Sequence, residues 1–237
     1  MTGEITGFEA LARWHSPKRG MVSPAEFIPL AEESSLILVL AERVLREACR
    51  EAASWATPLK VAINVSPIQF RHGDLPRLVH SVLMESGLAA NRLELEITEG
   101  VLIDDFSRAV SILCRLKALG VQIVLDDFGT GYSSLSYLRA FPFDKLKIDR
   151  SFIADLEGNQ QSIAIVQAVI GLCQSLKIPV LAEGVETKAQ HAFLTQEGCD
   201  EVQGYLTGRS LAIADYAAFV GKKLIAETPA RVRSIAG

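Results

Sequence analysis

The sequence predicts an α/β fold of the TIM type, a (β/α) barrel, and two observations support this prediction. Short apolar segments alternate with amphipathic segments along the chain, which is typical of strands that alternate with helices. Polar residues recur at the carboxyl end of almost every predicted strand, whereas an open doubly wound sheet would concentrate its ligands at one switch point. Because no linker-like segment interrupts the pattern, residues 1–237 are expected to form one domain.

Seven segments are predicted to be strands. Several are apolar without strict alternation until their last residue, as expected of strands that are covered on both faces, whereas Leu93–Thr98 alternates between apolar and polar residues. The predicted strands are Ile5–Ala12, Lys60–Val65, Leu93–Thr98, Gln122–Asp126, Lys145–Ile148, Val180–Glu183 and Glu201–Gly204. A TIM barrel needs eight strands and typically about 250 residues, so one strand is predicted to be missing.

Helices are predicted between these strands. In Ser107–Leu119, apolar residues recur with the 3.6-residue period of an amphipathic helix, and Gly120 then ends the helix. The predicted helices are Phe27–Glu33, Leu38–Trp55, Leu75–Ser86, Ser107–Leu119, Leu135–Arg139, Ser162–Leu176, Lys188–Glu197 and Ala214–Ile225.

Composition excludes several classes of protein. Hydrophobic residues make up 49% and charged residues 22%, as in ordinary globular domains, and the net charge of −4 offers no basic surface for a DNA or RNA duplex. The four cysteines are far apart, which argues against a zinc site or a disulfide framework. No apolar run approaches the ~20 residues of a membrane span, and the first residues do not resemble a signal peptide. We therefore expect a cytoplasmic domain, although its parent protein could carry a membrane anchor.

Acidic residues occur in apolar contexts where a buried strand would normally exclude them. So many carboxylates at one barrel mouth would repel one another unless cations lay among them, and oxygen ligands without histidine or cysteine favour Mg²⁺ or Mn²⁺ over zinc. The adjacent Asp126 and Asp127 are predicted to point in different directions, so that one carboxylate bridges two ions while the other binds one. Two such ions stabilise the attacking and leaving oxygens in phosphodiester hydrolysis.

Two lysines alternate on one predicted strand. Lys147 would orient a nucleophilic water or neutralise developing charge at the mouth. Since Lys145 lies only two positions away, one of the two lysines is expected to be structural or to face solvent. Glu94 and Glu201 are each expected to be solvated or paired carboxylates rather than part of the site.

A glycine-rich segment follows the two aspartates. It lies between a predicted strand and a predicted helix, and Asp149 comes about 20 residues after Gly129, which is similar to a dinucleotide-binding fingerprint. Asp126 and Asp127 would repel a pyrophosphate in that position. We therefore interpret the segment as a loop that closes over a metal site.

Taken together, the motifs resemble those of the EAL-domain cyclic di-GMP phosphodiesterases over almost the whole chain. The resemblance begins with the Glu-Ala-Leu sequence at Glu9 and is specific because many motifs occur in the same order. The matching segments are Glu9–Trp14, Glu26–Glu32, Asn64–Ser66, Glu96–Glu99, Asp126–Ser134, Lys145–Arg150, Ala182–Glu186 and Gln203–Tyr205.

The resemblance implies a barrel that hydrolyses cyclic di-GMP to linear pGpG with two ions, Mg²⁺ or Mn²⁺. Asp126 would bridge the two ions. The first ion would be held by Glu9, Asn64, Glu96 and Asp126, and the second by Asp126, Asp127 and, directly or through water, Glu183.

The resemblance also assigns catalytic and substrate-binding roles. Lys147 would contact the nucleophilic water, which Glu183 would help to activate. On the substrate side, Arg13 would hold a phosphate, Gln203 would help to fix the water or the metal cluster, and Asp149 would have a supporting role.

Glu99 would anchor the loop Phe128–Ser134, which in this family couples substrate and metal binding to dimerisation. A homodimer is therefore expected, together with regulatory sensor domains in the full-length protein.

The chain departs from the family pattern in three places. The family normally begins upstream with a helix and a strand of the Tyr-Gln-Pro-Ile type, so the missing strand is expected before Met1 or is absent. The link Ala56–Pro58 between a helix and a strand is short for the family. A smaller difference is Ser210, which stands where the family usually has proline and is expected to touch no catalytic role.

Two alternative functions remain open. One is a non-catalytic cyclic di-GMP receptor, as some degenerate family members are. The other, which disregards the resemblance, is an enolase-like barrel that abstracts a proton beside a carboxylate, because strand-end acids and a Lys-x-Lys pair would also suit that chemistry.

Overall fold

A parallel sheet of seven strands forms the frame of the molecule. The structure, a computed structural model, describes residues 3–130, 138 and 141–221. The strands of this sheet are β1 Gly7–Ala10, β4 Lys60–Asn64, β5 Leu93–Thr98, β6 Gln122–Phe128, β7 Lys145–Ile148, β8 Val180–Ala182 and β9 Glu201–Val202. They pair in the order β1-β4-β5-β6-β7-β8-β9, and the sheet curls into a partial TIM-type barrel with helices packed against it. The predicted fold class is thereby confirmed.

All seven predicted strands are present; β5 and β7 have the predicted bounds, and the ends of the other five differ by a few residues. β1 is shorter than the predicted Ile5–Ala12, and β6 continues two residues beyond Asp126 to Phe128. In the described part of the chain, no eighth strand joins this sheet. The strand upstream of Met1 therefore stays a prediction.

A small hairpin follows β1 and was not predicted. It consists of β2 Trp14–Ser16 and β3 Gly20–Val22, which pair antiparallel with Trp14 opposite Val22. Three residues per strand are too few to show the period of two from which a strand is predicted.

Ten helices are described, and the longer ones agree with the prediction to within a few residues. They are α1 Pro24–Glu33, α2 Ile37–Ala53, α3 Pro67–Arg71, α4 Leu75–Ser86, α5 Gly100–Asp104, α6 Phe106–Ala118, α7 Arg150–Ala154, α8 Gln160–Leu176, α9 Lys188–Gln196 and α10 Ala217–Val220. Short 3₁₀ helices at Ala90–Arg92 and Ile213–Tyr216 complete the set. Among the described residues, no helix has the length and hydrophobicity that a membrane crossing requires.

The predicted helix Leu135–Arg139 lies outside the described residues apart from Leu138, which is helical. The end of the predicted loop Phe128–Ser134 lies outside them as well. The predicted helix Ala214–Ile225 is described only as far as residue 221, and there it is divided between the second 3₁₀ helix and α10.

Three short helices, α3, α5 and α7, were not predicted, and α3 shows how such a helix is defined locally. The Ser66 hydroxyl accepts a hydrogen bond from the Ile68 N–H, and the Gln69 side chain accepts one from the Ser66 N–H. Pro67 occupies the first turn, where its missing N–H costs nothing. This capping box begins at Ser66, two residues after Asn64, the last residue of β4.

The hydrophobic core lies between the sheet and the helices, outside the barrel. Ile123 and Leu125 of β6 belong to it, together with Leu113 and Leu116 of α6. The alternate strand residues point into the barrel. In β5 these are Glu94 and Glu96, which are buried like the apolar residues between them. The alternation in β5 therefore does not mark a solvated face, and the barrel interior is charged.

Candidate functional site

A polar cavity of about 510 Å³ opens where the sheet strands end. The carboxyl ends of parallel barrel strands meet at one mouth, which is why residues far apart in the sequence line the same space. The lining residues are Glu9, Asp126, Asp127, Thr130, Asp149, Arg150, Glu183, Gly184, Gln203 and Gly204.

The two aspartates at the end of β6 sit on a bulge. The pairing of β6 with β7 shifts register between Leu125 and Phe128, and Asp127 has a left-handed backbone with φ of 53°. The Asp127 N–H donates to Asp126 Oδ1 at 2.9 Å. A non-glycine residue with positive φ is uncommon and often marks a functional constraint.

This bulge brings together Asp126 and Asp127, whose predicted division between one bridging and one single-ion ligand stays a prediction. One carboxylate oxygen of each, together with one of Glu183, lies within 4.8 Å of the others. The bulge breaks the strict alternation of side chains along a strand and turns both carboxylates into the cavity. Three convergent carboxylates are an arrangement that could hold a divalent cation.

Lys147 lies beneath these carboxylates and is almost completely buried, with 1% of its side chain exposed. Its Nζ is 3.0 Å from Glu96 Oε1, 3.3 Å from Asp126 Oδ1 and 2.5 Å from Glu183 Oε1. Burial lowers the pKa of this ammonium, but the surrounding carboxylates, Glu96 above all, outweigh that effect and raise it. Lys147 is therefore a fixed positive charge.

One ammonium does not balance the acids around it. Burial raises the pKa of Glu96 to about 8 and that of Glu183 to about 7, in spite of Lys147. Burial and then the charge of Asp126 also raise the pKa of Asp127. These shifts have the sign expected of carboxylates that lack enough positive charge nearby.

A buried carboxylate oxygen without a hydrogen-bond partner indicates whether these residues suit a metal ion. Glu96 Oε2 is buried and has no hydrogen-bond partner among the described residues, and no Lys147 ion pair has hydrogen-bond geometry. Buried polar atoms are rarely left in this state. Together with the all-oxygen donor set, they fit a hard divalent cation such as Mg²⁺ or Mn²⁺.

Glu9 joins the two edges of the sheet at the mouth. Its Oε1 accepts a hydrogen bond from Asn64 Nδ2 at 2.7 Å, and its Oε2 accepts one from Gln203 Nε2 at 2.7 Å. Glu9 lies at the end of β1 and Gln203 directly follows β9, so this carboxylate links the first and last strands of the sheet.

The residues predicted to share the first ion therefore form two groups. Glu9 and Asn64 contact each other at one side of the mouth, while Glu96 and Asp126 contact Lys147. Their joint ligation of one ion stays a prediction.

Glu99 lies directly after β5 and is buried. Its Oε1 accepts a hydrogen bond from the Gly129 N–H at 3.0 Å, at the start of the segment that follows β6. This contact agrees with the predicted role of Glu99 as a loop anchor, although the part of the loop from residue 131 lies outside the described residues.

The two remaining predicted residues differ in their distance from the cavity. Asp149 lines it and also caps α7 by accepting from the Ser151 N–H at 3.0 Å. Arg13 does not line it: the Arg13 guanidinium donates to the Ala12 carbonyl at 3.0 Å and to the Ser210 hydroxyl.

Four lining residues were not predicted: Thr130, Arg150, Gly184 and Gly204. Each directly follows a predicted strand-end residue or lies in the glycine-rich segment. Their proximity in sequence to predicted site residues could therefore have identified them. Gly204 has a steric reason, because a Cβ there would lie 2.3 Å from the backbone N and O of Val185. Only glycine permits this close backbone approach beside Gln203.

A family model described as the EAL domain matches residues 1–210 of the chain. The chain belongs to the EAL domain family. The predicted resemblance is thus confirmed.

Two curated relatives and one solved structure illustrate the family. An "Uncharacterized signaling protein" of Caulobacter vibrioides is 58% identical over 207 residues, which is 87% of this chain and 26% of the relative. The "Bifunctional diguanylate cyclase/cyclic di-GMP phosphodiesterase MucR" of Pseudomonas aeruginosa is 44% identical over 213 residues, 88% of this chain and 31% of the relative. This EAL chain therefore spans about a quarter to a third of their length.

The solved structure "PaMucR Phosphodiesterase, c-di-GMP complex" superposes with a TM-score of 0.83 at 44% identity. The match covers 86% of this EAL chain and 84% of that chain.

Proposed function

We propose that this EAL domain hydrolyses cyclic di-GMP to linear pGpG in bacterial second-messenger signalling, with two Mg²⁺ or Mn²⁺ ions at the mouth. The observation that carries the proposal is the convergence of Asp126, Asp127 and Glu183 above the single ammonium of Lys147. The relatives named as cyclic di-GMP phosphodiesterases support the choice of substrate.

The proposed metal ligands are those of the mouth. Asp126 would be shared between the two ions, because it contacts Lys147 beside Glu96 and also converges with Asp127 and Glu183. The ligands are Glu9, Asn64, Glu96, Asp126, Asp127 and Glu183. When bound, the ions polarise phosphoryl oxygens and supply a nucleophile at neutral pH.

The protein's own side chains would orient the attacking water and the metal ligands. Lys147, held by three carboxylates, would orient the attacking water and offset charge that develops on the phosphate. Glu183 would help to activate that water. Gln203 and Asn64 fix both oxygens of Glu9 and so would present it in one orientation.

The outer residues would bind substrate and close the site. Arg13 would hold a phosphate at the rim, Asp149 would support the substrate side, and Glu99 would anchor the loop after β6. We also propose that residues 1–237 act as one EAL phosphodiesterase domain, that the domain forms a homodimer, and that sensor domains of the full-length protein regulate it.

A metal titration with product analysis tests the proposal. Purified protein with cyclic di-GMP should produce pGpG when Mg²⁺ or Mn²⁺ is added. Production of pGpG should stop when the metal is chelated. Glu9→Ala should abolish turnover. Glu47→Gln, which changes an exposed carboxylate paired with Arg43, is the matched control and should leave turnover unchanged.

Two outcomes would contradict the proposal. Tight binding of cyclic di-GMP in Mn²⁺ without turnover would indicate a receptor instead of an enzyme. If the protein shows no binding of cyclic di-GMP and no turnover, cyclic di-GMP is excluded as the ligand of this domain.

A further inference from the structure

Arg13 is held by a residue from the far end of the chain. Its Nη2 donates a hydrogen bond to the Ser210 hydroxyl, across 197 positions of sequence. A second donor of the same guanidinium bonds to the Ala12 carbonyl at 3.0 Å. Both side chains are exposed, so the contact is not needed to fill the core.

The backbone around Ser210 is itself fixed. The Tyr216 hydroxyl donates to the Arg209 carbonyl at 2.5 Å, and the Tyr216 ring packs against Phe8 of β1 with 5.2 Å between ring centroids. Phe8 directly precedes Glu9, so the segment that carries Ser210 is tied to the strand that carries a site residue. The Ser210 hydroxyl therefore has a defined position relative to the mouth.

The neighbouring arginine has a different partner. The Arg209 guanidinium lies over the Tyr205 ring at 4.6 Å. Such a stacked guanidinium keeps its charge but is oriented by the ring. Of the two rim arginines, Arg13 is thus the one whose direction depends on a serine hydroxyl.

We propose that Ser210 is a positioning residue that holds the Arg13 guanidinium ready for a substrate phosphate and thereby sets substrate affinity. The inference rests on the proposed function, in which Arg13 binds that phosphate. A guanidinium has five N–H donors, and the two contacts to Ala12 and Ser210 leave the others for a ligand. A free arginine would have to give up its rotamer freedom on binding, so ordering it beforehand lowers the cost of association.

Steady-state kinetics with cyclic di-GMP test this role. Ser210→Ala should raise KM about three- to tenfold, the scale of one hydrogen bond, and leave kcat within about twofold. Ser210→Thr keeps the hydroxyl and should restore KM. Ser175→Ala removes an exposed hydroxyl that bonds to the Gly171 carbonyl within α8, and it should change neither constant.

A double-mutant cycle separates positioning from a general structural effect. In an Arg13→Ala background, Ser210→Ala should raise KM no further, because its effect passes through Arg13. Additive effects of the two substitutions, or a fall in kcat without a change in KM, would overturn the inference. Melting curves of each variant confirm that the fold is retained.

The wild-type protein distinguishes this inference from the proposed function. If it hydrolyses cyclic di-GMP and Ser210→Ala is indistinguishable from it, only the role of Ser210 is wrong. If the wild type neither hydrolyses nor binds cyclic di-GMP by calorimetry, the proposed function fails and the inference fails with it.

Discussion

Two charged clusters inside the barrel, built on lysines two residues apart on β7, have opposite balances of charge. The amino-end cluster consists of Lys60, Glu94, Lys145 and Glu201, and the mouth cluster consists of Glu9, Glu96, Asp126, Asp127, Lys147 and Glu183. Both are buried or half-buried and both join neighbouring strands. The difference between them separates a structural ion-pair network from a cluster of excess carboxylates that could hold cations.

The amino-end cluster is neutral. Lys145 Nζ lies 3.0 Å from Glu94 Oε1 and 2.7 Å from Glu201 Oε2, and Lys60 Nζ lies 2.9 Å from Glu94 Oε1. Burial raises the pKa of Glu94, but Lys145 and Lys60 outweigh it and lower the pKa overall. Two cations and two carboxylates satisfy each other, so this cluster needs no further ion.

The mouth cluster is not neutral, since its six residues comprise one ammonium, that of Lys147, and five carboxylates, with the guanidinium of Arg150 also on the cavity wall. Burial, and then the neighbouring carboxylates, raise the pKa values of Glu96 and Glu183 in spite of Lys147. The same strand thus carries a lysine that completes a network and a lysine that leaves one incomplete. Charge balance, rather than residue type, distinguishes the two.

Removing the central cation of the amino-end cluster should have the largest effect on stability. Lys145→Met leaves Glu201 without this partner and Glu94 with Lys60 alone, and breaking a buried ion pair costs about 3 kcal/mol. Urea denaturation should show that loss in the free energy of unfolding, while kcat/KM of the folded protein stays within about twofold. Lys188→Met, at an exposed position, is the control. An unchanged free energy of unfolding would mean that the ion-pair network does not stabilise the fold.

The opposite pattern is expected at the mouth. Asp127→Asn should lower kcat/KM at least about 100-fold, or about 2.7 kcal/mol, because it removes one of the convergent carboxylates. Its effect on the stability of the metal-free protein should be small or favourable, since a like charge is removed. Glu94→Gln in the amino-end cluster should keep kcat/KM within about twofold. Equal losses of activity in the two variants would break the comparison.

Metal should stabilise the domain through the mouth cluster alone. At 100 times its Kd, a divalent ion that binds only the folded state adds about 2.7 kcal/mol, or about 5–10 °C in Tm. Thermal melts with and without Mn²⁺ should show this shift for the wild type and for Glu94→Gln. The shift should be smaller for Asp127→Asn, and an equal shift there would place the ion elsewhere.

The stability of the metal-free protein should depend on pH through the same residues. Because the pKa values of Glu96 and Glu183 are raised to about 8 and about 7, the folded state holds protons that the unfolded chain has released. The free energy of unfolding should therefore fall as pH rises from about 5 to 8, by up to about 1.4 kcal/mol per pH unit for each carboxyl that is protonated only in the folded state. Denaturation in chelator across this range measures the fall, and Glu96→Gln should flatten it.

The amino-end cluster should not contribute to that slope. The lowered pKa of Glu94 makes its stabilisation present above the unfolded value and lost only as pH falls below it. Burial lowers the pKa of Lys145, but its carboxylate partners outweigh that effect and raise it. The stabilisation that Lys145 contributes is therefore lost only as pH rises above the ordinary pKa of a lysine. Between about pH 5 and 10 the cluster is constant. A slope that persists in Glu96→Gln but vanishes in Glu94→Gln would contradict this account.

Sequence reasoning predicted the seven strands, the barrel class and the strand-end residues, because hydrophobic periodicity and polar strand ends are local properties. It also expected that one of Lys145 and Lys147 would be structural, and the contacts identify Lys145. It missed the hairpin β2–β3 and the three short helices, whose few residues show no period. It did not foresee the bulge at Asp126 and Asp127, because a bulge depends on pairing with β7 and not on the residues of β6 alone.

The sequence by itself determined which residues reach the mouth of the barrel. Parallel strands end at one edge, so residue types at strand ends are enough to gather them. Only the tertiary structure decided which of them touch. The bulge at Asp127, the ion pairs of Lys145 with Glu94 and Glu201, and the Arg13–Ser210 contact each depend on distances between segments that are remote in sequence. Strand register and loop packing, which no single segment encodes, set those distances.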